Sequence, residues 1–132
     1  MLRLEFKSSK NKQVIDITKI VNDLLMKNRY HDGICFLFCT HTTCSLTTAE
    51  LDPGTDLDLL DAFSAIMPKL KYRHAHDPNH VVDHIVTSMV GTSLTIPVTS
   101  ASLTLGQWQR VVLIEQAGPR NIRLNLSFMR LR

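Results

Sequence analysis

The spacing of hydrophobic and polar positions changes period several times along the chain, and each change marks an element. Leu2, Leu4 and Phe6 alternate with Arg3, Glu5 and Lys7, which predicts a half-buried strand over residues 2–7. The polar run Ser8-Ser9-Lys10-Asn11-Lys12 leads into a second short strand, Gln13 to Ile17. From Thr18 the apolar spacing lengthens, and Ile20, Val21, Leu24 and Leu25 form one stripe of a helix ending near Asn28. Asp32-Gly33 signals a turn. Ile34 to His41 is then apolar on both parities, as expected of a central strand covered on both faces.

Thr55-x-x-Asp58 resembles a capping box, and Leu59, Leu60, Phe63, Ile66 and Met67 give the following helix a core stripe that ends before Pro68. Residues 69–78 read as a polar connection. A third helix is expected from about Asn79 to Val90, stopped by Gly91. The remainder reads as β: Leu94 to Val98, Leu103 to Leu105, Gln109 to Glu115, and a long strand from Asn121. In that last strand Ile122, Leu124, Leu126 and Phe128 share one parity, whereas Met129 and Leu131 take the other, which predicts a bulge or a strand leaving its sheet. The order of elements indicates an α+β fold: one domain over residues 1–132, a largely antiparallel sheet and about three helices.

Composition narrows this picture. With 132 residues, 44% apolar and 20% charged, the chain is neither disordered nor fibrous. No apolar window approaches the roughly 18 residues of a membrane span, and the N-terminus is patterned as a strand and not as a signal peptide. Three cysteines with no secretory signal read as reduced thiols of a cytoplasmic protein. The net charge of +3 gathers partly in Arg120, Arg123, Arg130 and Arg132, but at 6% aromatic content stacking platforms are scarce, which argues against nucleic acid as partner.

Histidine is the unusual residue: five of the six fall between His41 and His84. His80 and His84 are four apart on a predicted helix, with Asp83 and Thr87 on the same face, and His74 and His76 precede it. Imidazoles suit zinc and similar ions, and three of them leave a position open for water or substrate. The competing reading is a solvated helix face, although an imidazole at the end of so apolar a strand as that before His41 calls for a specific partner. Glu50 can act as general base beside a metal or can be a loop acid. Cys39 can chelate together with His41 or simply pack. Gly91-Thr92-Ser93 and Gly106-Gln107-Trp108-Gln109, with Arg120, can hold phosphate oxygens, or the glycines can simply end a helix and turn a hairpin.

Taken in order, these segments resemble a known family. Thr40-His41-Thr42-Thr43-Cys44-Ser45-Leu46-Thr47-Thr48-Ala49-Glu50 is similar to the His-Thr-Ser/Thr segment ending in Glu of the YjbQ-like proteins, often labelled secondary thiamine-phosphate synthase. Tyr72-Arg73-His74, then His84-Ile85 and Ser88 to Val98, and then Leu105-Gly106-Gln107-Trp108-Gln109 resemble its later blocks, with Glu115 and Arg120 in matching places. The resemblance implies a homotrimer with a site at or near the subunit interface and His41, His74 and His84 as its recurring histidines; beside them the residues' own chemistry offers Glu50 as the catalytic group and Thr92, Ser93, Trp108, Gln109 and Arg120 as contacts to a phosphorylated small molecule. The chain departs from the pattern at His80, where the family has Asn or Asp, at Ala101 (Gly) and at Gln107 (Thr); His80 becomes a possible extra ligand or base.

Three functions follow as expectations. One is thiamine-phosphate synthase activity, as a main or a side reaction, which needs a diphosphate cradle and usually Mg2+, an ion that prefers carboxylate oxygens. Another is metal-assisted hydrolysis of a phosphorylated or acylated metabolite, for which three imidazoles favour a zinc-like divalent ion over magnesium. The third is a non-enzymatic trimer that binds a metabolite or metal.

Overall fold

A computed structural model describes residues 1–131; Arg132, part of the C-terminal basic group, lies outside the described residues. In chain order the elements are β1 (Leu2–Lys7), β2 (Gln13–Asp16), α1 (Thr18–Lys27), β3 (Gly33–Cys39), β4 (Cys44–Ala49), α2 (Thr55–Ile66), α3 (Val81–Val90), β5 (Ser93–Thr99), β6 (Ser102–Leu103), β7 (Arg110–Glu115) and β8 (Asn121–Arg130). The strands form a five-stranded sheet, β1-β8-β3-β5-β6, and a three-stranded sheet, β2-β7-β4. Every pairing is antiparallel.

The core explains the arrangement. Leu37, Cys39, Leu124 and Leu126 from the larger sheet, Cys44, Leu46, Val111 and Leu113 from the smaller one, and Ile17, Val21 and Leu25 beside and along α1 are all essentially buried in one cluster. Each strand contributes alternate residues, so the period-2 pattern places one face of each sheet in this core. α1 ends as its sequence predicts, but on an unusual residue. The Tyr30 and Arg29 amides donate to the Leu25 and Met26 carbonyls, closing the turn with Arg29 at φ 56°, a conformation that favours glycine.

Several expectations are corrected. Cys44–Ala49 is a full strand of the smaller sheet, although its Ser- and Thr-rich sequence lacks the bulky alternation of the other strands. β3 stops at Cys39, so His41 sits on a turn and not in strand register. Moreover only one face of β3 is covered by this chain: Phe36 and Phe38 are 39% and 50% exposed on the other. β8 contains no bulge, since its register against β3 runs unbroken from Cys39↔Leu124 to Gly33↔Arg130. Met129 and Leu131 change parity because they lie at the open end, where β1 no longer flanks β8. α2 is capped by Gly54 at φ 95° and not by the Thr55 side chain, and none of its residues is buried. Its apolar stripe rests only half-covered, with Ile66 59% exposed. α3 begins at Val81, after His80, and the strand expected over Leu103 to Leu105 is the two-residue β6.

Where α3 ends, the chain is tied to both sheets. Gly91, at φ 102°, terminates the helix; its carbonyl accepts the Leu46 amide of β4 at 3.0 Å, and the next carbonyl, Thr92, accepts the Cys39 amide of β3 at 2.8 Å.

Candidate functional site

That tie sets one wall of an open cavity of about 630 Å³, within the usual size of small-molecule sites. The β3 end and its turn contribute Phe38 through Thr42, the connection before α3 contributes His74, and α3 with its exit contributes His84, Thr87, Ser88, Gly91 and Thr92. No lysine, arginine or carboxylate is among the lining residues. The wall is hydroxyls, imidazoles, the Phe38 ring and the Cys39 sulfur.

The three histidines play different hydrogen-bonding parts. His84 Nδ1 lies 3.0 Å from the Thr42 carbonyl, to which it donates, leaving the Nε2 lone pair free. Metal-binding imidazoles are commonly oriented by such a bond to a carbonyl. His74 Nδ1 lies 2.9 Å from the Asp77 carbonyl and 3.0 Å from the Asp77 amide, so either tautomer finds a partner. The His74 and His84 ring centres are 5.1 Å apart. Two imidazoles on one tetrahedral ion, with metal–nitrogen bonds of about 2 Å, would stand roughly 5 Å apart, so this pair fits a shared ion. His41 is the reverse case: its Nε2 accepts the Arg123 amide at 2.8 Å. Burial depresses the His41 pKa first, and the positive charge of Arg120 and Arg123 adds to this against the opposing Glu115. Among the described residues no group of three His, Cys, Asp or Glu side chains is already set in a metal-holding cluster.

Behind the cavity a fully buried carboxylate is anchored. Glu115 accepts Arg120 Nε at 3.0 Å and NH2 at 2.9 Å, Ser8 Oγ at 3.1 Å, and the Gln116 and Ala117 amides at 3.0 and 3.1 Å. Burial works to raise this carboxyl, but Arg120, the Ala117 amide and Ser8 hold it below the ordinary carboxylate range. Arg120 NH2 also donates to Thr43 Oγ1 at 2.7 Å.

Residues 2–130 match the model of the family described as UPF0047 protein YjbQ-like. The chain belongs to this family. Among its YjbQ-like relatives, the UPF0047 protein YugU of Bacillus subtilis is 32% identical over 96% of each chain. A UPF0047 protein of Mycobacterium tuberculosis is 34% identical over 89% of this chain and 90% of its own. An uncharacterised member from Clostridium acetobutylicum, 30% identical, superposes with TM-score 0.87 over 98% of this chain and all of that one. A hypothetical protein from Aeropyrum pernix, 27% identical, gives 0.89 over 98% and 97%.

Within this YjbQ-like chain the residues picked out from sequence separate into two groups. His41, His74, His84 and Thr92 line the cavity. His80 stands at its margin, its ring edge-on to His84 at 5.3 Å and its Nδ1 3.1 Å from Asp83 Oδ2, a carboxylate also held by Lys12 at 2.6 Å. Ser93 is exposed at the start of β5 and does not line the cavity. Glu50, Trp108 and Gln109 sit elsewhere. β4 enters at Cys44, opposite Glu115, and leaves at Ala49, opposite Arg110, so these three lie at the far end of the smaller sheet. Gly91 of the cavity wall meets β4 at Leu46, and at about 3.3 Å per residue Glu50 lies roughly 13 Å further along the chain. There Glu50 Oε1 accepts the Asp52 amide, Gln109 Oε1 accepts the Gly106 amide at 2.7 Å, and Trp108 is 67% exposed. Arg120, expected to hold phosphate, is committed to Glu115 and Thr43. Cys39 does reach the cavity, as a free thiol.

Sequence reasoning missed Thr42 and Thr87. Thr42 orients His84, and only its position after His41 hinted at this. Thr87 lies one turn beyond His84, is 3% exposed, and keeps an unpartnered hydroxyl among the described residues.

Proposed function

We infer that this chain is a small-molecule enzyme that works at the histidine cavity with a zinc-like divalent ion, acting on a small phosphorylated or acylated metabolite. The observation that supports it most is the His74–His84 pair: ring centres 5.1 Å apart, with His84 turned by the Thr42 carbonyl so that Nε2 is free. His74 and His84 would hold the ion, which when bound supplies a Lewis acid for an oxygen of the metabolite. The chain's own groups then position that metabolite: Phe38 gives an apolar wall, and the Thr42, Ser88 and Thr92 side chains offer hydroxyls. Thiamine-phosphate synthase activity is the second reading. It draws on the family resemblance, and as a main activity it is disfavoured by a cavity without the cations or carboxylates that a magnesium diphosphate requires.

The reading includes a homotrimer. Phe36 and Phe38 stand open on the outer face of β3, with Met129 (48% exposed) and Pro97 opposite Ile34 on the neighbouring strands. A second copy covering this strip would extend to the cavity, because Phe38 belongs to both. Light scattering should give three chains per particle, and Phe36→Glu should dissociate it.

The test is metal content after dialysis against zinc or magnesium, followed by turnover of phosphorylated and acylated metabolites. One zinc per chain, lost in His84→Ala and His74→Ala, supports the reading. A chain that takes up no zinc at micromolar concentration refutes it, and a tightly held metabolite that never turns over would make the protein a binding module.

A further inference from the structure

We propose that His41 is not a third metal ligand but a neutral hydrogen-bond donor that, through Nδ1–H, fixes a carbonyl or phosphoryl oxygen of the molecule bound in the cavity. The inference deepens the function proposed above and rests on it for the cavity's use, but not for the tautomer.

A backbone amide fixes the His41 tautomer. The Arg123 N–H points at His41 Nε2 from 2.8 Å, and an amide can only donate, so Nε2 must be the bare acceptor. A neutral imidazole carries one proton, which therefore sits on Nδ1. That nitrogen has no partner among the described residues, while the ring lines the cavity. A nitrogen lone pair already receiving an amide cannot also bind an ion. The contrast with His84 is direct, since there a carbonyl takes the Nδ1 proton and Nε2 is left bare.

The surrounding charge agrees. Arg120 and Arg123 face His41, with Glu115 partly offsetting them, and together with burial they favour the neutral ring. Because Glu115 meets the Arg120 charge, Arg123 and the outward Nδ1–H are what suit this side to an oxygen. The opposite side carries the bare Nε2 of His84, which suits a cation. The cavity is thus polarised to receive a molecule by an electron-rich oxygen on the His41 side.

Nitrogen-15 NMR of the intact protein reads the tautomer without substitution. The expected result is a single His41 form with its proton on Nδ1, an Nδ1–H signal that moves when inorganic phosphate or acetate is added, and His41 ring nitrogens that stay put while those of His84 shift with zinc. A proton on Nε2, a metal-bound shift at His41, or no response to either anion overturns the proposal. If zinc shifts no histidine, the metal reading fails, and the tautomer and anion response still decide the role of His41. As a second measure, His41→Asn, which keeps a donor near the Nδ1 position, should hold phosphate within about threefold of the parent. His41→Leu should lose about tenfold or more. Equal losses in both count against the donor role.

Discussion

Replacing Arg120 by methionine should cost the protein about 3 kcal/mol of stability, and the size of that loss separates a structural clamp from a phosphate-binding arginine. Glu115 is fully buried and accepts five hydrogen bonds, two of them from Arg120. Methionine removes those two and the counter-charge, and leaves a carboxylate stranded. Breaking such a pair costs about 3–5 kcal/mol, and because the Arg120 side chain is 29% exposed, water screens it and the lower end applies. Against a total of about 5–15 kcal/mol this is a large share. Urea unfolding followed by circular dichroism, at fixed protomer concentration, should show the midpoint falling by at least about 1 M. Adding Glu115→Leu should recover most of the loss, since the stranded charge is then gone.

The pH dependence supplies the sign. In the parent, Glu115 titrates below its unfolded value, so its contribution is present above that value and fades as pH falls through the lower folded one. In Arg120→Met, burial, the largest influence, is left opposed by the Ala117 amide and Ser8, and the folded value is expected above the unfolded one. The variant should therefore regain stability, relative to the parent, as pH is lowered from 7 toward 5. A loss under 1 kcal/mol at pH 7, with phosphate binding abolished, would refute the clamp and restore Arg120 as a ligand residue.

Other outcomes follow from single features. Arg29→Gly relieves a φ of 56° at an exposed site and should add about 0.5–1 kcal/mol, seen as a rise of roughly 2–5 °C in Tm. Glu50→Gln should leave zinc binding unchanged and cost under about 0.5 kcal/mol, measured by dialysis and urea unfolding, because Glu50 is exposed at the end of β4 remote from the histidines. The three free cysteines are buried, and burial pushes the Cys35 thiol up to about 12. An aromatic disulfide reagent should thus label Cys35 and Cys44 only in urea, with Cys39, which lines the cavity, the first to react under native conditions.

Much of the fold was legible because its elements carry strong local patterns. β1 and α1 recur at a single period, β7 is a continuous apolar run and β8 alternates as far as Phe128, and the structure places all four within a residue or two of the expected bounds. β4 was not legible: Cys44-Ser45-Leu46-Thr47-Thr48-Ala49 has small side chains, and what makes it a strand is its ladder to β7, a long-range pairing that no local pattern announces. The α2 stripe was legible as a stripe, but whether another surface covers it is not written in the helix itself. At the site, residue types pointed to His41, His74 and His84, which do line one cavity. The exclusion of Glu50 and Trp108 from it depends on strand direction, and the commitment of Arg120 to Glu115 depends on a pairing brought about by β7 and the turn that follows it.

The two carbonyls at the exit of α3 have a mechanical consequence. Gly91 and Thr92 pin the helix end to a strand of each sheet at once, so the wall that carries His84 and Thr87 cannot swing without breaking bonds in both layers. Opening the cavity on that side therefore requires the same event as separating the sheets. The Cys39 and Leu46 amides should exchange with solvent as slowly as the centre of the core, by global unfolding and not by local breathing. A binding site hung on such a pin cannot be retuned by loosening a loop. New specificity has to come from exchanging the side chains that face inward, against a backbone that stays where the fold puts it.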